Sequence, residues 1–379
     1  MDKPKIALFF INLKTIRENS MKTDSETTHV RRVSHWKLYL LIMTIVFVIV
    51  FVLALNLGFA PISFSDILKI LVKQVPVIDN LVDSSSVSRT AEVIIMQIRL
   101  PRIICGALVG AALATAGVIY QGIFRNPMAD PYTIGASTGA TLGAALVIVL
   151  GVGVSLLGVN TLQILAFVGS ITTVLLVYNI SRVGSKVPVT TLLLTGIAVS
   201  LFQTAIVTYI KVIAEENLLH SLTFWIIGSL APTENWNDVW SILPLILIGI
   251  AVSFLFSRDL NILALGEDQA QHLGVDIEKV KRILLISGAL ITAASVSISG
   301  LIVFVGLVIP HLTRVVIGPD HRILLPTSAI VGASFLMICD AVARVTMGSG
   351  EAPVGIITAL SGAPFFIYLL RRRRKGYLM

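Results

Sequence analysis

Arg99-Leu100-Pro101-Arg102 opens an apolar run rich in glycine and alanine. The run closes on Gln121-Gly122-Ile123-Phe124-Arg125-Asn126-Pro127-Met128-Ala129-Asp130-Pro131, after which glycine-rich apolar sequence resumes at Gly135. A polar turn broken twice by proline thus separates two segments suited to lipid. Lipid offers a free peptide group no partner, so irregular backbone at that depth persists only inside protein or beside a watery cavity. The stretch reads as part of a transport path.

The rest of the chain has the same character. It is 55% hydrophobic and 13% charged, with mean hydropathy +0.90, whereas soluble domains carry about 25% charged residues. Apolar runs near the ~20 residues that cross a hydrocarbon core fall at about 38–60, 103–120, 133–158, 161–180, 190–213, 240–257, 283–299, 301–317, 323–343 and 353–370. The expected fold is all-α, a polytopic membrane protein with ten transmembrane helices. The first run starts too late and is too long for a cleaved signal peptide. The piece 221–231, with Trp225, is too short to cross and is expected at the interface.

Basic residues orient this scheme, because Lys and Arg are retained on the cytoplasmic side. With the N-terminus inside, 22 of the 29 basic residues are cytoplasmic, eight of them before residue 38 and five within 371–375. An odd number of spans would export one of those clusters, so both termini are expected in the cytoplasm. The net charge of +8 then reflects topology and attraction to anionic lipid, not nucleic acid. Three parts follow: a basic cytoplasmic extension (1–37), a ten-helix transmembrane domain (38–372) and a basic tail (373–379). An outer loop over 61–98 is expected to carry a short helix near 65–75. The largest inner loop, 258–282, mixes charge with Leu, Ile and Val at helical spacing, as partner-facing amphipathic helices do. Similar small-residue stretches at 107–117 and 289–300 suggest internal duplication.

No Gly-Lys dipeptide occurs, so no phosphate-binding loop of the G-x-x-x-x-G-K-S/T type can form. If ATP drives this protein, another chain hydrolyses it, and no enzymatic chemistry or cofactor is expected here. Gly135-Ala136-Ser137-Thr138-Gly139 matches a serine-nucleophile pattern, but that pattern needs a strand-to-helix elbow and a histidine. Close helix packing explains Gly106, Gly110, Gly135, Gly139 and Gly143 better. The six histidines lack metal-ligand spacing, and Cys105 and Cys339 read as packing residues. Arg99 and Arg102 sit at the outer mouth of the second span. They either snorkel or stay exposed for acidic groups of an extracytoplasmic partner. Arg344 is placed similarly, four residues after Asp340.

At these residues the chain resembles the permeases of iron-siderophore, haem and cobalamin ABC importers, the FecCD family. The resemblance rests on R-L-P-R (99–102), N-P-M-A-D-P (126–131) with G-A-S-T-G, L-L-L-T-G (192–196), L-A-L-G-E (263–267) and Q-H-L-G (271–274). G-L-V-I-P-H (306–311), P-D-H-R (319–322) and G-A-P-F-F (362–366) complete it. It implies type II ABC importer permease architecture in the bacterial plasma membrane: a homodimer, or a pair with a closely related permease, over two cytoplasmic ATPase subunits and beneath one substrate-binding protein. It also implies that Arg99, Arg102 and Arg344 meet the binding protein, and that Leu265, Gly266, Glu267, Gln271, Leu273 and Gly274 seat on the ATPases. Asn126, Pro127 and Met128, with Val189 and Thr190, would form a cytoplasmic gate, although 189–190 is half apolar where a hydroxyl pair can occur. The expected cargo is an iron chelate, a ferric siderophore before haem or cobalamin. The rival expectation, an ion-coupled transporter, would need ionisable relays within the spans. Acidic residues are absent from span interiors except near the outer end of the ninth.

Overall fold

The computed structural model describes residues 36–58, 60–74, 87–151, 155–156, 159–233, 235–346 and 352–376. Nearly all of the basic extension expected over 1–37, and the end of the tail, lie outside them. The chain divides into two compact units, 1–45 and 46–379. In the first, residues 36–45 are helical. Among the described residues the second is built of helices, with one pair of two-residue strands, Ser155–Leu156 antiparallel to Val159–Asn160.

Among the described residues, seven helices are long and apolar enough to cross a membrane: α1 (Trp36–Asn56), the run Arg89–Ile123, α6 (Thr161–Ile180), α7 (Val189–Ile213), α9 (Trp236–Leu255), α12 (Ile277–Ser299) and α14 (His321–Thr346). Three shorter apolar helices, α5 (Ala136–Leu150), α13 (Val305–Ile317) and the 354–368 portion of α15 (Val354–Gly376), occupy the other three expected apolar runs. α5 and α13 are shorter than the hydropathy suggests because backbone breaks fall inside apolar sequence, whereas α15 continues past its expected run. Gly151 ends α5 at φ +64°, and Gly300 (φ +65°) with Phe304 (φ +71°) separates α12 from α13. Apolarity reports the solvent a residue tolerates, not where a helix stops.

Short helices fill the connections. α2 (Phe64–Lys73) starts at Ser63, whose hydroxyl accepts from the Asp66 N–H at 3.1 Å. α8 (Glu216–Ile227) covers the region expected at the interface, and α10 (Ser257–Leu263) and α11 (Glu267–His272) form the 258–282 loop.

The run Arg89–Ile123 has three parts: α3 (Arg89–Val93), a π-helical turn (Ile94–Arg99) and α4 (Leu100–Ile123). Pro101 cannot donate to the preceding turn. The wider turn absorbs this, with the Leu100 N–H reaching Ile95 O, five residues back. α4 is apolar around its whole circumference and buried along almost its whole length, as expected of a helix packed on every side. α9, α12, α13 and α14 enclose it. Small residues set how closely: a Cβ at Gly110 would lie 2.3 Å from Gly332 O of α14, nearer than any real contact, so these helices meet backbone to backbone.

Candidate functional site

Two polar regions stand at opposite ends of α4, separated by its 24 residues, roughly 36 Å at 1.5 Å per residue. At the first, Arg99 ends the π-turn, Arg102 lies in the first turn of α4, and Arg344 lies in the last turn of α14. The exposure expected of these arginines is not found: they are 5%, 3% and 4% exposed. Arg102 donates from Nε and Nη2 to Asp340 Oδ1 at 3.1 and 2.9 Å, and Arg344 Nε stands 3.1 Å from Asp340 Oδ2. Arg344 also donates to Leu57 O and Ala54 O at 2.9 and 3.0 Å. Arg99 donates to Leu55 O at 3.0 Å and to Ala60 O.

The cause of burial is the end of α1. The last carbonyls of a helix have no partner within it, and cations there complement the negative end of the helix dipole. Arg99 and Arg344 supply both effects, while Asp340 joins α14 to α4. Around them Val50, Ala54, Leu55, Ile67, Ile70, Ile95 and Ile103 pack as a separate apolar cluster. The three arginines therefore form an internal clamp.

The other end is open. Gly266 precedes α11 at φ +123° and Gly274 follows it at φ +82°, conformations that side chains strain to adopt. Between and beside them Leu265 and Leu273 stand 59% and 62% exposed. Glu267 pairs with Lys281 at 2.7 Å. Gln271, Glu267 and Lys186 line part of a cavity of about 330 Å³ between α11 and the start of α12. α10 is fixed from behind by the P-D-H-R motif. Asn261 donates to Asp320 Oδ1 at 2.8 Å and accepts from the His321 N–H at 2.8 Å. Burial would raise the Asp320 carboxyl pKa, but hydrogen bonds from Arg322 and Asn261, with the Arg322 charge, hold it down to about 2.

The residues expected to gate lie at this same end, on two elements. Asn126, exposed after α4, accepts from the Met128 N–H through Oδ1 at 2.9 Å, and Pro127 and Met128 are half-buried. Val189 and Thr190 begin α7 behind Pro188. Among the described residues no hydrogen bond joins the two groups. The turn does meet the 258–282 loop, since a Cβ at Gly266 would lie 3.6 Å from Arg125 Nη1.

Ser137 does not occupy a nucleophile elbow. It lies in the first turn of α5 after turns rather than a strand, and is 8% exposed. Its neighbour Thr138 instead donates to Gln203 Oε1 at 2.8 Å, and Gln203 Nε2 donates to Thr173 at 2.7 Å, tying α5, α6 and α7 through a buried polar knot. Sequence reading did not find Gln203, Asn261, Glu278 or Lys281. Each acts through a partner at least 30 positions away or through the buried part of an exposed loop, although a lysine amid apolar helical spacing, as at 281, is a signal that could have been used.

Three comparisons bear on this arrangement. The model of the FecCD transport family matches residues 46–372. The chain is 47% identical over 287 residues to the cobalamin import system permease protein of Halobacterium salinarum, covering 76% of each chain. It is 40% identical over 281 residues to the hemin transport system permease protein of Yersinia pestis, covering 74% of this chain and 84% of that one. A solved metal-chelate type ABC transporter in an inward-facing conformation superposes with TM-score 0.74 at 34% identity, covering 88% of this chain and 98% of the other.

Proposed function

The chain belongs to the FecCD transport family, and from that premise we propose how its two polar ends divide the work of import. It is a multi-pass permease subunit of a binding-protein-dependent ABC importer, not itself an enzyme. The loop bearing α10 and α11 faces the cytoplasm and seats on ATPase subunits through Leu265, Leu273 and the residues between them. The observation that carries this is two large apolar side chains, each more than half exposed, on a charged loop outside the spans. Apolar surface rimmed by charged residues and held outside the lipid marks a protein contact. Both termini are cytoplasmic, following the distribution of basic residues.

Two copies of the chain, or one with a closely related permease, enclose the path. Asn126 to Met128 and Val189–Thr190 narrow its cytoplasmic end. ATP binding by the partners draws the α10–α11 loops together and shifts the helices between two packed arrangements, and the differential fit of ATP to those states supplies the energy. At the far end a binding protein docks on the rim. Arg99, Arg102 and Arg344 serve this docking by holding the end of α1 and the loop after it in place.

The cargo is a metal chelate, with a ferric siderophore the reading carried from the sequence. Cobalamin is the second reading, favoured by the 47% identity to a cobalamin permease. Vesicles holding the permease with its ATPase and binding protein should take up the cognate chelate only when loaded with ATP. Uptake driven by an ion gradient without ATP would instead support a secondary transporter. Comparing a ferric hydroxamate, haemin and cobalamin on the binding protein separates the cargoes.

A further inference from the structure

Lys281 lies on the second turn of α12 with its side chain only 4% exposed. A lysine in that position is costly unless paired, and it is paired twice. Nζ stands 2.7 Å from Glu267 Oε1, on the first residue of α11, and 3.8 Å from Glu278 Oε1, one turn back on α12. Glu278 uses its other oxygen elsewhere: Oε2 accepts the Val187 N–H at 3.1 Å. Val187 is buried and lies two residues before Val189, where α7 begins. The four groups form an unbroken line from α11, through α12, to the backbone that leads into α7.

Lys186, Asp268 and Gln271 line the same cavity as Glu267 and Glu278. Asp276 accepts the Lys279 N–H at the start of α12, and Arg282 donates to the Tyr178 hydroxyl on α6. Neither competes for Lys281.

We propose that Lys281 is a positioning residue that transmits movement of α11 to the start of α7 through Glu267, Glu278 and the Val187 amide. This rests on the reading that the ATPase seats on α10–α11 and extends it to the residues that carry the movement inward. The ends of the line sit on different elements, Glu267 on α11 and Val187 ahead of α7, while Lys281 and Glu278 share α12, so displacing α11 pulls on the cation and, through α12, on the carboxylate that tethers Val187. A salt bridge confined to one helix could not do this. Coupling of this kind needs a physically continuous network whose ends both respond; here the outer two links are direct contacts at 2.7 and 3.1 Å and the middle one is an ion pair at 3.8 Å within α12.

The test uses the complete transporter in vesicles, with Thr190→Cys as reporter and a membrane-impermeant maleimide as probe. Thr190 is exposed, while the native Cys105 and Cys339 are buried, so background labelling is low. With Lys281 intact, ATP with vanadate should change the Thr190→Cys labelling rate at least about threefold. Lys281→Met should abolish that change while the ATPase still co-purifies and hydrolyses ATP, and Lys281→Arg should preserve it. Glu278→Ala, which cuts only the last link and lies on a partly exposed side chain, should give the Lys281→Met result. Should Lys281→Met fail to assemble, Glu278→Ala decides alone. A nucleotide response equal to wild type in Lys281→Met or Glu278→Ala, with ATPase bound, overturns the relay. Failure of the underlying reading has a different signature: ATPase association unaffected by Leu273→Glu.

Discussion

The two ends of α4 carry similar chemistry and do opposite things with it. Three arginines and one aspartate at the first end are withdrawn from solvent, every guanidinium committed to a carboxylate or to helix-end carbonyls. At the second, Leu265 and Leu273 project outward, and Glu267 remains 39% exposed while its partner Lys281 is hidden. A charged motif at a membrane boundary therefore does not announce a docking surface by charge alone. What separates the two is whether the polar groups are already satisfied within the chain.

The largest expected effect tests the closed end. Asp340→Ala leaves Arg102 and Arg344 buried without their shared carboxylate, and should cost about 3–5 kcal/mol, the usual penalty for breaking one side of a buried ion pair. Thermal unfolding of the purified permease in detergent would register it. If stability is unchanged, the clamp is not structural and the arginines return to consideration as direct docking groups.

A middle-sized effect tests the helix joining the ends. Gly110→Leu must separate α4 from α14, since even a Cβ meets Gly332 O at 2.3 Å; overpacking costs about 1–3 kcal/mol. A lowered unfolding temperature with the ATPase interaction intact would show that the ends are independently built. The smallest effect concerns the open end's support. The folded pKa of Asp320 is held below its ordinary value of about 3.9, so its stabilising contribution is present above pH 4 and is lost as pH falls toward 2. Asp320→Asn should therefore lower stability slightly at pH 6, and the gap from wild type should narrow through pH 3 and close at about pH 2 and below. A gap independent of pH would assign the role to packing rather than charge.

Much of this comparison was legible before any coordinates. The apolar runs locate the helices, Gly106 and Gly110 within 103–120 anticipate the close packing of α4, and the mixed pattern of 258–282 anticipates α10 and α11. The clamp was not legible, because Asp340 lies 238 positions from Arg102 and its visible neighbour in sequence was only Arg344. The carbonyls at the end of α1 carry no sequence signature at all, since every residue has one. Breaks at Gly151 and Gly300 were hidden for a related reason: glycine in these runs also serves helix contact, and only φ distinguishes the two uses. The polar knot at Gln203 was missed because isolated Thr and Gln in apolar helices have no spacing rule.

In the proposed function the energy of ATP enters at the open end, and not at the clamp. This is tested most directly by measuring how much of the cognate ATPase co-purifies with the permease when Leu265 and Leu273 are both changed to glutamate. Association should weaken by at least about 2 kcal/mol, roughly thirtyfold, with the permease still folded. ATPase capture equal to wild type would contradict it.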